Sequence, residues 1–117
     1  MIKTTKKQFK QFKDHCLRWI ELFGITTWDI TIYKEELHDR YIAETRLSYN
    51  SKSASIVLNT KINKNTDLDQ TALHEVLHCA LGDITTVAER RYVTETEITN
   101  AVESAVNTLV NTLYGKL

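Results

Sequence analysis

Proline is absent from this chain, and its three glycines, Gly24, Gly82 and Gly115, each stand directly after a run of helical periodicity. Without proline, such a helix stops where a residue tolerant of the left-handed conformation follows it, so the glycines are expected to act as C-terminal stops. Average usage would put about six prolines in a chain of this size. Their absence excludes collagen-like, Pro-rich linker and polyproline-recruiting segments and argues against a long structureless tail. The 117 residues suit one domain, spanning 1–117, with a core large enough to need no disulfide staples.

The hydrophobic pattern divides the chain into helix, sheet and helices. Residues 6–23 place Phe9, Phe12, Cys16, Trp19, Ile20 and Phe23 at three- and four-residue steps, the stripe of an amphipathic helix. Residues 27–33 alternate, with Trp28, Ile30 and Ile32 on one face. Residues 41–49 alternate less cleanly, and residues 53–59 form a third strand. Short polar connections make an antiparallel meander the economical topology. A second helix is predicted over 67–81, with Asp67 as N-cap, Gln70 reaching back and Gly82 as the stop. Residues 83–93 read as a polar loop. Thr94 and Glu97 then make a capping box for a last helix ending at Gly115, with Ile98, Val102, Ala105, Val106, Leu109 and Leu113 as its apolar stripe. The expected class is α+β: an N-terminal helix, a three-stranded mostly antiparallel sheet and two C-terminal helices.

Fifteen basic and fifteen acidic residues cancel, but unevenly. Residues 1–18 carry a local excess of +5 and residues 65–103 one of −6. A zero total argues against a dedicated nucleic-acid binder, although Lys3, Lys6, Lys7, Lys10 and Lys13, gathered on the far side of the first helix, keep contact with nucleic acid or an acidic partner in view. The alternative is a solvated helix face. Cys16 and Cys79 follow no metal-ligand or C-x-x-C spacing and sit among apolar residues, so buried free thiols in a reducing cytoplasm are expected. The lysines at the start lack the apolar stretch of a signal peptide, and no apolar run reaches the ~20 residues of a membrane span. A monomer without a membrane partner is expected.

The chemistry is concentrated in His74-Glu-Val-Leu-His78. On a helix, residues four apart are one turn apart and point the same way, which suits two ligands of one tetrahedral zinc. Glu75 flanks the same side, where its carboxylate can take a proton from a metal-activated water. A catalytic zinc needs a third protein ligand and one open position. His15 lies off the apolar stripe of the first helix and is expected to be solvent-exposed, and His38 sits in a polar turn. Among the later acids, Glu97 is engaged in the capping box and Glu95 occupies a first turn that favours acids anyway. Glu103 lies mid-helix at the flank of a core-facing stripe, which makes it the leading third ligand, with Glu95 and Glu97 as alternatives. Asn107, one turn later, is either a hydrogen-bonding support for a ligand or a solvent-facing residue.

These elements together resemble a family. The first helix, the early strand with Trp28-Asp-Ile, the H-E-x-L-H helix and the closing helix with Glu103 ahead of Val106, Leu109 and Leu113 are similar to the small zinc metallopeptidases of phages and prophages, zincin-like single domains. The resemblance implies zinc-dependent hydrolysis of peptide bonds, one zinc ion held by two histidines and a glutamate, a peptide or protein substrate, and a host-cytoplasmic setting. It also implies substrate pairing with an exposed sheet edge, for which residues 53–59 are the candidate. No group equivalent to the oxyanion stabilisers of larger zincins stands out. Arg90, Arg91 and Tyr92 lie in the corresponding stretch but read as surface residues. The alternative to an enzyme is a metal-stabilised binding module without turnover, docking through the basic first helix.

Overall fold

In the computed structural model, which describes residues 1–89 and 94–114 apart from the side chains at 87, 89, 108, 111 and 112, nine elements follow in order. They are β1 (Ile2–Lys3), α1 (Lys6–Phe23), β2 (Asp29–Glu35), β3 (Ala43–Ser48), β4 (Ser53–Asn59), β5 (Lys61–Ile62), α2 (Leu68–Ala80), α3 (Gly82–Glu89) and α4 (Glu95–Tyr114). The class is α+β, as the hydrophobic pattern implied. Thr5 and Gln8 form a reciprocal capping box at the start of α1, and Gly24 ends that helix at φ 63°. There the Gly24 N–H donates to Glu21 O and the Ile25 N–H to Ile20 O, both at 3.1 Å. This closure needs a left-handed residue, which glycine supplies without strain.

The main sheet has the order β2-β4-β3, with β4 parallel to β2 and antiparallel to β3. The expected meander is therefore corrected: the last of the three strands inserts between the first two. Its composition explains the placement. Ile56, Val57 and Leu58 are consecutive and all fully buried, and a strand with both faces apolar belongs in the centre of a sheet. The flanking strands carry the charges. On the outer face Arg46 donates to Glu44 (2.8 Å), to Glu35 (2.7 Å) and to the Tyr33 hydroxyl (3.2 Å). A second antiparallel pair, β1 with β5, was not foreseen from the pattern. Buried Thr4 anchors it, its N–H donating to Thr60 O and its hydroxyl to Asn59 O, each at 2.8 Å.

The inner face of the sheet (Ile32, Ala54, Ile56, Leu58) packs with Phe12, Cys16 and Trp19 of α1 and with Leu73 and Val76 of α2. Asp69, in the first turn of α2, ties the two helices by accepting from Trp19 Nε1 (2.8 Å) and from Arg18 (2.7 Å). Both cysteines are buried free thiols. Burial raises both thiol pKa values, that of Cys79 to about 12. On α4 the buried positions are Ile98, Val106 and Val110, whereas Ala105 and Leu109 of the expected stripe are exposed. The helix thus meets the core along a narrower line of four-residue steps. Gly115 lies outside the described residues.

Gly82 does not stop α2. The helix closes at Leu81 without a left-handed residue, and Gly82 begins α3, which replaces most of the expected loop. What Gly82 provides is room: a Cβ there would stand 2.7 Å from Cζ2 of Trp28. The β-branched run Ile84-Thr-Thr is a weak helix former in isolation. Here Thr85 and Thr86 turn their hydroxyls back to Leu81 O and Gly82 O, and Lys52 pairs with Asp83.

Asn59 holds the excursion between β2 and β3. Its amide donates to the carbonyls of Leu37 (3.3 Å), His38 (3.3 Å) and Tyr41 (2.7 Å), while Oδ1 accepts from the N–H groups of Leu37 (3.2 Å) and Lys61 (3.3 Å). This side chain is 1% exposed, so removing it strands backbone groups away from water. Asn59→Ala should cost about 2 kcal/mol in urea denaturation, and Asn59→Asp should cost more, because a carboxylate would face three carbonyls. Equal stability of the Asp variant and the natural protein would refute this account of the loop.

Candidate metal centre

The middle of α2 is enclosed by α1, the sheet and α4, and it buries Ala72, Leu73, Glu75, Val76, Leu77 and Cys79. Only one side is left open, and His74 and His78 occupy it, with side chains 28% and 19% exposed. Asp67 caps the helix by accepting from the Gln70 N–H at 3.0 Å, which sets where the following turns begin. The imidazole centroids are 5.1 Å apart with planes inclined at 60°, so the rings converge rather than stack.

Across from them, Val106 and Val110 seat α4 on the core, and Glu103 sits one turn earlier on the flank of that contact. Its Oε1 is 2.5 Å from His78 Nε2, and its Oε2 is 3.5 Å from His74 Nε2. One ligand atom from each of His74, His78 and Glu103 can be chosen so that all lie within 4.8 Å of one another. Two imidazole nitrogens and a carboxylate are donors that suit zinc, and three protein ligands leave a fourth position open. Burial, then the neighbouring His78, lower the pKa of His74, with Glu103 opposing. The neutral imidazole is the form that binds a metal.

Glu75 is the buried acid of the site, its side chain 8% exposed, with Oε2 at 4.0 Å from His74 Nε2. Oε1 is 2.8 Å from the Thr45 hydroxyl, which donates to it and also lies 3.1 Å from the Glu75 carbonyl. Burial raises its pKa to about 7 against the opposing hydrogen bond from Thr45, with Glu103 and Glu44 adding repulsion. Thr45 is the residue the sequence reading missed. It occupies an inward position of β3 between Ala43 and Leu47, and a hydroxyl on an otherwise apolar strand face is the signal that was available.

Two open clefts flank the triad. One, of about 400 Å³, is lined by Thr45, Leu47, Tyr49, His78, Thr99 and Glu103 among others. The other, of about 490 Å³, lies between Ala43, Gln70, His74, Glu75 and Asn107. Thr45 and Leu47 line the first and Ala43 the second, so β3 borders both clefts. The candidate edge at Ser53–Asn59 is corrected: β4 is central and paired on both sides, whereas among the described residues β3 has β4 on one side only.

The structure leaves the other candidates apart from the triad. Glu95 and Glu97 are exposed at the start of α4, where the Glu97 N–H donates to Thr94 Oγ1 at 3.1 Å. His38 is exposed and its Nδ1 accepts from the Arg40 N–H. His15 is half-buried rather than exposed, 3.6 Å from Asp69, because the start of α2 packs over it. Asn107 is an exposed wall residue beside His74. Arg90, Arg91 and Tyr92 lie outside the described residues. Compared with known proteins, the chain matches no family model, no curated protein and no solved structure.

The raised pKa of Glu75 has a sign that can be measured. Below about pH 4.5 the acid is protonated in both folded and unfolded chains, and burial of the charge costs nothing. Between there and about pH 7 the unfolded chain ionises first, so stability falls as pH rises, by about 3 kcal/mol in total. Metal-free protein should therefore lose stability relative to Glu75→Gln over this interval and hold a constant difference above it. Parallel pH–stability curves for the two proteins would show that Glu75 is not held neutral.

Proposed function

We propose that this protein is a zinc-dependent peptidase in which His74, His78 and Glu103 hold the metal and Glu75 is the general base. The observation that carries the proposal is how the Glu75 carboxylate is divided. Oε1 is fastened to Thr45, while Oε2 is left on the side of the imidazoles. The donor set adds support, since a structural zinc is normally closed by four protein ligands and a catalytic one keeps a position open. The likeness to phage and prophage zinc metallopeptidases belongs to the same proposal and rests on the H-E-x-x-H element and the Glu103-bearing helix.

Zinc bound by these residues supplies Lewis acidity toward a carbonyl oxygen and toward water. Glu75 takes a proton from the water as its oxygen bonds to the scissile carbonyl carbon. It returns that proton to the amine nitrogen as the C–N bond breaks. A carboxyl group with a pKa near 7 suits both directions of transfer. Thr45 keeps the carboxylate from rotating away, so a proton is exchanged at one oxygen. The free edge of β3 offers backbone groups to an extended peptide lying through both clefts. Two buried free thiols support placing the enzyme in the cytoplasm, and no helix among the described residues is long and apolar enough to cross a membrane.

The non-catalytic alternative, a metal-stabilised binding module, leaves a buried carboxyl beside the metal ligands without a use. The two readings separate experimentally. Glu75→Gln should retain one zinc per chain by elemental analysis and lose about a thousandfold in peptide hydrolysis. Glu103→Ala should lose or weaken zinc binding. A Glu75→Gln protein as active as the parent would refute the mechanism, and full zinc content in Glu103→Ala would move the third ligand elsewhere. Zinc-loaded parent protein that cleaves no peptide library would favour the binding module.

Thr45 gives a finer test. Thr45→Val should lower kcat about tenfold with unchanged zinc content and KM, the cost of one hydrogen bond to the base, and Thr45→Ser should restore it. A Val variant with unaltered kcat would remove Thr45 from the site.

A further inference from the structure

Lysines crowd two neighbouring segments of the molecule, with the carboxylate of Asp14 at their border. Residues 1–13 contain five lysines and no acid, and residues 60–66 add Lys61 and Lys64, again with no acid. All seven are exposed. The fold brings the two segments together, because the β1–β5 register sets Lys3 directly opposite Lys61. Thr4, buried between Lys3 and the start of α1, holds the arrangement through its two hydrogen bonds to Asn59 and Thr60. The charges are therefore displayed on a fixed framework.

That display works against the fold that carries it. Like charges directly opposite one another on paired strands are destabilising. Lys6 and Lys7 add further positive charge in the first turn of α1, where no acid is present. Among the described residues, only Lys10 of the seven has an ion-pair partner, Asp14 at 2.9 Å. Of the other described basic residues, Arg18, Arg46 and Lys52 are each matched by an acid, whereas Lys34 and Arg40 have no ion pair but are not set opposite another cation across paired strands. Two local penalties at one place, left uncompensated within the chain, mark a surface whose charges are matched from outside.

We propose that this surface binds the phosphate backbone of duplex nucleic acid, without reading its sequence. Lys6, Lys10 and Lys13 recur at four- and three-residue steps and line one side of α1 over about 10 Å, while a duplex presents a charge every ~1.7 Å along its axis. Lysine is a point charge that contacts phosphates without demanding bidentate geometry. The patch contains no arginine and exposes no aromatic ring. It thus lacks the anchors of a protein interface and the stacking platforms of a single-strand site. α1 buries Phe12, Cys16 and Trp19 in the core, and its exposed apolar residues Leu17 and Leu22 lie beyond the lysines toward its C-terminal end. Beside the lysines only Met1 and Ile2 are exposed large apolar residues among the described residues, too few for a continuous apolar face to insert into a bilayer. α1 meets Asp69 of α2 through His15, Arg18 and Trp19 rather than through these lysines, and binding by the patch is independent of the hydrolase proposal.

Fluorescence anisotropy with a labelled mixed-sequence duplex of about 20 base pairs tests this on the full chain, with zinc and with chelator. Affinity should be equal in both and fall about a hundredfold from 50 to 200 mM salt, the slope of about four phosphate contacts. Lys3→Glu creates an opposite-charge pair with Lys61, so thermal stability should hold or rise while duplex affinity falls roughly tenfold and the salt slope drops by about one. Lys7→Gln should repeat the loss of affinity in milder form. Absence of duplex binding at 50 mM salt would overturn the proposal, as would undiminished binding by Lys3→Glu. Binding to anionic phospholipid vesicles or to polyglutamate in preference to the duplex would overturn it in favour of a membrane or an acidic protein.

Discussion

The enclosure of α2 is the constraint on which the rest depends. A helix covered by α1, the sheet and α4 can leave only a narrow side open, and everything polar on it must either reach that opening or be satisfied inside. Asp69 is satisfied by Trp19 and Arg18 at the edge of the α1 contact. His74 and His78 reach the opening. Glu75 does neither completely, which is why its acid is held near neutrality and why a hydroxyl from β3 is needed to orient it. The same enclosure fixes α4, since Val106 and Val110 can enter the core only in a position that carries Glu103 over the imidazoles.

The order of the sheet follows from that packing and in turn shapes the site. With β4 buried on both faces and placed centrally, β3 is displaced to the edge beside α2. Thr45 then meets Glu75, and Ala43 and Leu47 border the two clefts. A meander would have put β3 in the middle of the sheet, paired on both sides, with no strand edge available next to the histidines. The cost of the observed order is a long connection over the end of β4, and Asn59 meets it by hydrogen-bonding the backbone of that connection from below.

Charge is partitioned along the same lines. Acids cluster on the segments that build α2, α3 and α4, and lysines on β1, β5 and the first half of α1. The zero net charge is thus the sum of two opposed segments, a basic one at residues 1–18 and an acidic one at residues 65–103. A total near zero conceals such a division, because only the local field acts on a ligand within a Debye length.

Much of this was legible in the amino-acid sequence because it depends on near neighbours. The span of α1 and its Gly24 stop, the Asp67 and Thr94 caps, the extent of β4 and the i, i+4 placement of His74 and His78 are set within a turn or a strand by periodicity and capping. The choice of Glu103 over Glu95 and Glu97 could be ranked from its position beside the apolar stripe, but its approach to the histidines depends on how α4 crosses α2. The strand order, the helical state of residues 82–89, the part played by Gly82 and the bond from Thr45 to Glu75 were decided only in the tertiary structure. Each rests on contacts between residues far apart in the chain: Trp28 against Gly82, Lys52 with Asp83, β3 beside α2. Local preference carries at most about 0.7 kcal/mol per ordinary residue, and about 1 kcal/mol at a glycine, toward such outcomes, and the packing of distant side chains overrides it.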